Sequence, residues 1–600
     1  MSEKILQRSE VPVEFTWNLE DLYATDDAWL EHLQELQNTV NELAPAYKGR
    51  LAESAKTLLD YLKKQDEFDL AISRLANYAM RKSDQDSTVA KYQDFVGKVM
   101  SFFVNIGSLF AYATPELIAM EEETLNKFYE EEPDLCLYKL ALDRIRRDKE
   151  HILSEKEEAI MAAAGQLKNA PDNIYGMFEN ADIKFPNAID SAGKEYPLTN
   201  GSYIPLVQSE DRELRRSAFN NLYHTFEQFK NTLAALYDAE VKGRIFTAKM
   251  RKYPSTLEAA LSRNEVPVSV YKNLIDAVHA NMHYMHKYMR LRKKLMGVDE
   301  LHMYDIYTSI VPEADVKVSY EEAKSNTLEA TKVLGEEYQE MLKEGFANRW
   351  IDVYENTGKR SGAYSAGARP HPYVLLNFKE TLDSEFTLAH EMGHALHSYL
   401  SKKYQPTCYS DYVIFVAEVA STCNEALLMQ YLLGKTTDKK QRAYLINYFL
   451  EQFRTTLYRQ TMFAEFEMLT NEMAERGEGL TADALCALYH KLNAEYYGDD
   501  VVIDREIDFE WERIPHFYYN FYVFQYATGF SAAIALSQKI LNEGENAVKD
   551  YIKFLSGGCH TDPISLLKIA GVDMNSPEPV ANALKLFGEL IDEMDELLAE

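Results

Sequence analysis

Chain breakers are scarce in this sequence of 600 residues. It has 25 glycines and 18 prolines, where ordinary usage would give roughly 70 of the two together. That shortage argues against a strand-and-turn architecture and for long helices. Cysteine is rare as well. Cys136, Cys408, Cys423, Cys486 and Cys559 are an odd number without a Cys-x-x-Cys pair, which argues against a disulfide framework and for reduced thiols in a cytoplasm. Positive charge is short: 64 Lys and Arg face 95 Asp and Glu, a formal net charge of −31. Such a chain repels phosphate backbones and anionic lipid, so neither nucleic acid nor a membrane is an expected partner. The stretch from Met1 to Phe15 has no apolar run and predicts no secretory leader. Phe102 to Ala113, the most apolar early stretch, is shorter than a membrane span and is interrupted by Asn105, Gly107 and Ser108. Internal repeats and low-complexity tracts are lacking too. What remains is 46% hydrophobic and 26% charged, enough to bury a sizeable core.

Most of the chain reads as amphipathic helix. Trp29, Leu33, Leu36, Val40 and Leu43 fall on one stripe, and Leu586, Leu590, Met594 and Leu597 repeat the theme near the end. The pattern turns extended over residues 182–208. A turn is expected at Asp190 to Gly193 and a hairpin turn at Asn200-Gly201, with Tyr203 to Val207 as strand. Ser209 then caps a helical stretch running towards 250. The main boundary is placed near 200: residues 1–200 form an N-terminal helical lobe ending in a short β segment, and 201–600 a second, larger domain. His302 to Tyr307 and Tyr373 to Phe378 read as short strands, and Ser361 to Gly367, rich in small residues, as a mobile loop.

The sharpest signal is His390-Glu391-Met392-Gly393-His394. A match to His-(Asp or Glu)-x-x-His arises by chance in about one chain in twenty of this composition, so its context matters. Asp383 can cap a helix here, Glu385 suits its first turn, and Lys402 and Lys403 close its last turn before Pro406. On a helix, positions i and i+4 share a face, so both imidazoles can reach one metal ion. Glu391 lies beside them, placed to take a proton from an activated water. A catalytic zinc needs a third protein ligand. His397, one further turn along, is too far along a straight helix axis to join both histidines easily and reads better as a neighbour of the ligands. Glu418 is the better third ligand: a carboxylate in the apolar run Val413 to Ala420 is costly unless paired or bound to a cation. Glu425, seven residues on, either orients a ligating histidine or lies at the surface. His279, His283 and His286 repeat the spacing with no carboxylate after the first, and read as a polar helix face. The run from Arg513 to Gly529 holds His516, Tyr522 and Tyr526, which either pack a core or donate hydrogen bonds to a tetrahedral oxyanion.

In these segments the chain resembles the thimet-oligopeptidase family of zinc metallopeptidases, and within it the oligoendopeptidase F group. The likeness rests on HEMGHALHSYL from His390, VAEVASTCNEALL from Val416 and IPHFYYNFYVFQYATGFSAA from Ile514, with the Pro372–Phe378 strand, Phe554–Gly558 and Gly571–Asp573 in support. It runs through most of 200–600 and is looser before that. It implies a mainly α, two-lobed, zincin-like metallopeptidase with a deep central cleft and a small β-sheet beside the HExxH helix. It implies one zinc per chain and endopeptidase action on short unstructured peptides. By that resemblance His390, His394 and Glu418 are ligands, Glu391 the general base, and His516 and Tyr526 transition-state donors with Tyr522 nearby. Thimet-type relatives carry a further tyrosine where this chain has Gly529, so Tyr522 or a residue elsewhere covers that role. An extended peptide is expected on an unpaired edge of the Tyr373–Phe378 strand. A zinc exopeptidase of aminopeptidase or carboxypeptidase type, or a peptide-binding protein without chemistry, are the alternatives.

Overall fold

Helix takes most of the chain, as the shortage of breakers predicts. In the computed structural model, which describes residues 5–311 and 317–599, 73% of the chain is helical. The first four residues of the N-terminal stretch read for a leader lie outside the described residues. The helices that matter below are α1 (Asp26–Tyr47), α2 (Arg212–Glu227), α3 (Lys230–Met250), α4 (Leu382–Tyr404), α5 (Ile414–Lys435), α6 (Arg459–Glu475) and α7 (Phe524–Glu543). Helix α1 buries Trp29, Leu33, Leu36 and Val40, the stripe expected from their spacing. The chain forms two compact units that interleave in sequence. One comprises Met1–Glu150, Val316–Tyr431 and Leu536–Gly571; the other comprises His151–Asp315, Leu432–Ala535 and Val572–Glu600. These units follow contacts, whereas the division at residue 200 follows sequence.

Strands are few and short. Strand β1 (Ala188–Ile189) pairs antiparallel with β2 (Glu195–Tyr196), and β3 (Leu301–His302) pairs with β7 (Val501–Val502). The largest sheet has the order β4 (Ile351–Asp352), β6 (Tyr373–Leu375), β5 (Tyr364–Ala366) and packs beside α4. In the first unit, Tyr373 and Leu375 share one buried cluster with Trp17, Trp29 and Phe95. The N-terminal helices thus pack on the sheet that flanks α4.

Several sequence expectations change. Asn200-Gly201 opens a helix (Asn200–Val207) instead of a hairpin, because the Thr199 side chain accepts from Ser202 N at 3.0 Å and Ser202 Oγ accepts from Thr199 N. Tyr203 to Val207 is therefore helical, and the only hairpin there turns at Asp190 to Gly193. The cap of the next helix is Asp211, whose carboxylate accepts from Leu214 N, not Ser209. Part of the Ser361–Gly367 loop is strand β5. Consequently Tyr373–Leu375 is the central strand, bonded on both sides, and offers no edge; β5 has no strand partner on its other side among the described residues. Finally, Ala90–Ala119 is long and apolar enough by length and composition to cross a membrane, a wider stretch than Phe102–Ala113. Phe95, Val99 and Phe102 along it are buried in the first unit, while Met100, Phe103 and Val104 are exposed.

Candidate metal centre

Helix α4 begins at Thr381, whose hydroxyl accepts from Ser384 N (3.2 Å), two residues before the Asp383 cap expected from sequence; Asp383 and Glu385 occupy the first turn and Lys402 and Lys403 the last. Helix α5 crosses it at close range. A Cβ on Gly393 would lie 2.7 Å from the Ala420 carbonyl oxygen and 2.7 Å from Ser421 Cα, so only glycine permits this approach. Asn424 Nδ2 donates to the Ala389 carbonyl (3.1 Å) and Asn424 Oδ1 accepts from the Tyr338 hydroxyl (2.9 Å), tying the two helices together with buried, satisfied groups.

That crossing brings Glu418 to the two histidines. His390 Nε2 lies 3.3 Å and His394 Nε2 3.4 Å from Glu418 Oε2. The three donor atoms all fall within 4.8 Å of one another. A tetrahedral ion with bonds of ~2.05 Å sets its ligand atoms ~3.3 Å apart, so both histidine–carboxylate distances fit such an ion. Two imidazoles and a carboxylate are also the borderline donors zinc takes. Glu425 faces the same histidine from behind: His390 Nδ1–H donates to Glu425 Oε1 at 2.6 Å, leaving Nε2 turned to Glu418. Ser421 Oγ–H donates to Glu418 Oε2 (3.0 Å).

The electrostatics follow from this packing. Burial alone would lower the His390 imidazole, but the hydrogen bond to Glu425 and the charges of Glu425, Glu391 and Glu418 outweigh it and raise it to about 9. Burial pushes Glu418 up, yet His394, His390 and the Ser421 hydroxyl hold it at about 2. Glu391 is buried, and one of its oxygens, Oε2, has no hydrogen-bond partner. Burial raises its carboxyl above the usual range against the pull of His390 and His394.

His397 stands apart from this set. It is fully buried, stacked parallel on Tyr412 at 3.7 Å, with neither ring nitrogen hydrogen-bonded, and burial holds it at about 3. Nor do His279, His283 and His286 assemble: His279 bonds Glu465 and His286 the Glu495 carbonyl. Asn424 and Ser421 were not singled out from sequence. Their signal was there, as polar residues in an apolar helix within two turns of Glu418.

In the second unit, His516, Tyr522 and Tyr526 form one half-buried aromatic group. The His516 ring lies 6.4 Å from Tyr522 and 6.1 Å from Tyr526, and the two tyrosines lie 5.3 Å apart. Tyr519, which the sequence reading passed over, joins them at 5.4 Å from His516 and is exposed. Burial lowers the His516 imidazole below its ordinary value. Gly529 sits within α7 and brings no side chain to the group.

Known proteins resemble this chain along nearly its whole length. The sequence model of Peptidase family M3 matches residues 205–586, and the Oligopeptidase F model matches 116–185. Oligopeptidase PepF of Bacillus subtilis is 48% identical over 598 residues, covering 100% of this chain and 89% of its own. An oligoendopeptidase F homolog of Lactococcus lactis is 40% identical, covering 98% of both chains. Oligoendopeptidase-F from Enterococcus faecium superposes with a TM-score of 0.74 at 37% identity, covering 96% of this chain and 98% of that one. A solved structure from Chlamydophila abortus reaches a TM-score of 0.92 at 33% identity, covering 99% of this chain and 100% of that one.

Proposed function

The chain belongs to peptidase family M3, and from that premise we propose a zinc-dependent endopeptidase that cuts internal bonds of short unstructured peptides. Its kinship makes it a metallopeptidase of the endopeptidase type; zinc, the residue roles and the peptide length are our reading. A Zn2+ ion held by His390, His394 and Glu418 would supply a Lewis acid that polarises the scissile carbonyl and acidifies a water. Glu391 accepts the proton of the attacking water and returns it to the leaving amine. Its unpartnered buried oxygen leaves an acceptor for that proton. Glu425 fixes the tautomer of His390. His516 and Tyr526, with Tyr522 beside them, donate to the tetrahedral oxyanion. The free side of β5, which packs against α4, takes the extended peptide through main-chain hydrogen bonds. On this reading 201–600 is the catalytic segment and 1–200 the helical lobe. None of the five cysteines is in a disulfide, which supports a cytoplasmic setting.

What carries this is the convergence of three zinc-type donors within 4.8 Å beside a buried carboxylate with an unused oxygen. The test is mass spectrometry of products from peptides of mixed length, with wild type and Glu391→Gln side by side and bound metal measured in both. Wild type should cut internally and leave folded proteins intact. The variant should keep its metal and lose about 10²- to 10⁴-fold in kcat. Stepwise terminal trimming would make the protein an exopeptidase, and full activity in Glu391→Gln would remove the general base.

A further inference from the structure

The segment that carries His516 is held at both ends by one buried ion pair. Arg244, on α3, and Glu467, on α6, meet at 2.7 Å with side chains 6% and 0% exposed. From this pair two bonds reach the segment. Arg244 Nη2–H donates to the Phe517 carbonyl at 2.5 Å, and Phe521 N–H donates to Glu467 Oε1 at 2.8 Å. Glu240 accepts from Arg244 Nε at 3.2 Å, and the guanidinium lies 5.8 Å from the centre of the Phe521 ring. Phe517 and Phe521 are both buried. The chain between them reverses through Asn520 and Phe521, with φ of 55° and 59°. They are the only adjacent non-glycine residues of positive φ among the described residues. Residues with side chains hold that conformation only where their surroundings over-determine it. Tyr519 stands exposed at the tip, and His516 and Tyr522 flank it.

A buried charged pair of this kind is weak evidence for stability, since desolvation offsets its attraction. Its geometry is specific for the segment instead: one guanidinium and one carboxylate fix a carbonyl and an amide four residues apart. We propose that Arg244 and Glu467 are positioning residues that hold His516, Tyr522 and Tyr526 in the arrangement their donor role requires. The proposal rests on the reading of His516 as a transition-state donor. Neither Arg244 nor Glu467 reaches substrate itself; each acts through the backbone of 517–521. Misplacement of catalytic groups by about 1 Å can cost about a hundredfold in rate, whereas contacts that bind ground state and transition state alike leave kcat unchanged.

The test is a double-mutant cycle of Arg244→Met with His516→Ala, in the metal-loaded full chain on one internally cleaved peptide. Arg244→Met should lower kcat about tenfold or more, with KM within about threefold of wild type and bound metal unchanged. In the His516→Ala background the same change should cost at least about threefold less than in wild type, because one of the groups it positions is gone. Equal losses in both backgrounds would mean general damage to the fold and would overturn the proposal, as would an unchanged kcat in Arg244→Met alone. If Arg244→Met does not fold, Glu467→Gln goes through the same cycle under the same criteria, since it keeps an acceptor for Phe521 N–H while removing the charge. His516→Ala separates the two levels. A wild-type kcat there sinks the donor reading and the proposal with it, while a large His516 effect without coupling to Arg244 sinks the proposal alone.

Discussion

Glu391, Glu467 and Glu512 are the buried carboxylates among the described residues that keep an oxygen without a hydrogen-bond partner, and each is tolerated for a different reason. Glu391 feels the charge of two imidazoles, and its unused oxygen is left for the chemistry proposed for it. Glu467 has already spent one oxygen on Arg244 and Phe521. Glu512 has neither resource. It is 1% exposed, both oxygens are unpaired, and the nearest charges, Lys230 and Glu227, oppose each other. Burial therefore raises its carboxyl from 4.5 to about 9, and it stays protonated in the folded chain. The sign of its linkage follows: the folded state keeps a proton that the unfolded state loses above pH 4.5. The contribution of Glu512 is full below that pH and falls by about 1.4 kcal/mol per pH unit until about 9. Glu512→Gln cannot ionise and removes this slope. In thermal melts the variant should match wild type near pH 5 and melt higher at pH 8; the same difference at both pH values would show that Glu512 does not titrate in this window.

The crossing of α4 and α5 decides whether the proposed ligands meet, and Gly393 decides the crossing. Gly393→Ala would drive its Cβ into the backbone of Ala420 and Ser421, and backbone cannot rotate aside as a side chain can. The helices must part, at a cost of about 1–3 kcal/mol, and Glu418 moves with Ala420 and Ser421. Weaker metal binding together with a lower melting temperature is the expected result, measured by competition with a chelator. Gly434→Ala is the control: it lies on α5 with nothing within 4 Å and should be neutral or slightly stabilising. Wild-type metal affinity in Gly393→Ala would mean that the contact does not set the ligand geometry. The HExxH spacing was legible because i and i+4 on one helix need no long-range information. So was Glu418, since a carboxylate in an apolar helix demands a partner. The crossing was not, because nothing local to Gly393 names the helix it meets. Strand order was hidden for the same reason. Tyr373–Leu375 advertises a strand through its composition, but whether it is central or an edge depends on Ile351 and Tyr364, and the small residues around Tyr364 read as loop. Asn200-Gly201 misled because two capping side chains, Thr199 and Ser202, turn a favoured hairpin dipeptide into the first turn of a helix.

On the scale of the whole chain, the ligand set and the His516 group fall in different compact units, and that makes metal binding a local probe. His390, His394, Glu418 and Glu425 all belong to the first unit, within the single segment Val316–Tyr431. An ion held by α4 and α5 binds only the state in which both helices are formed and crossed, so it stabilises that state by mass action, about 2.7 kcal/mol at a hundredfold excess over Kd. A chain of 600 residues in two units need not unfold in one step, and one melting temperature would mix the two. Amide hydrogen exchange resolves them by segment. Comparing zinc-loaded with chelated protein, protection should rise along α4 and along α5 as far as Tyr431, and in β5 and β6, which pack on α4. Helices α2, α3 and α6 of the second unit should exchange at the same rate in both states. No gain on α4 and α5 would mean that these residues do not hold the ion. An equal gain in α3 and α6 would mean that the two units open together, and the metal would then stabilise the chain as one cooperative body.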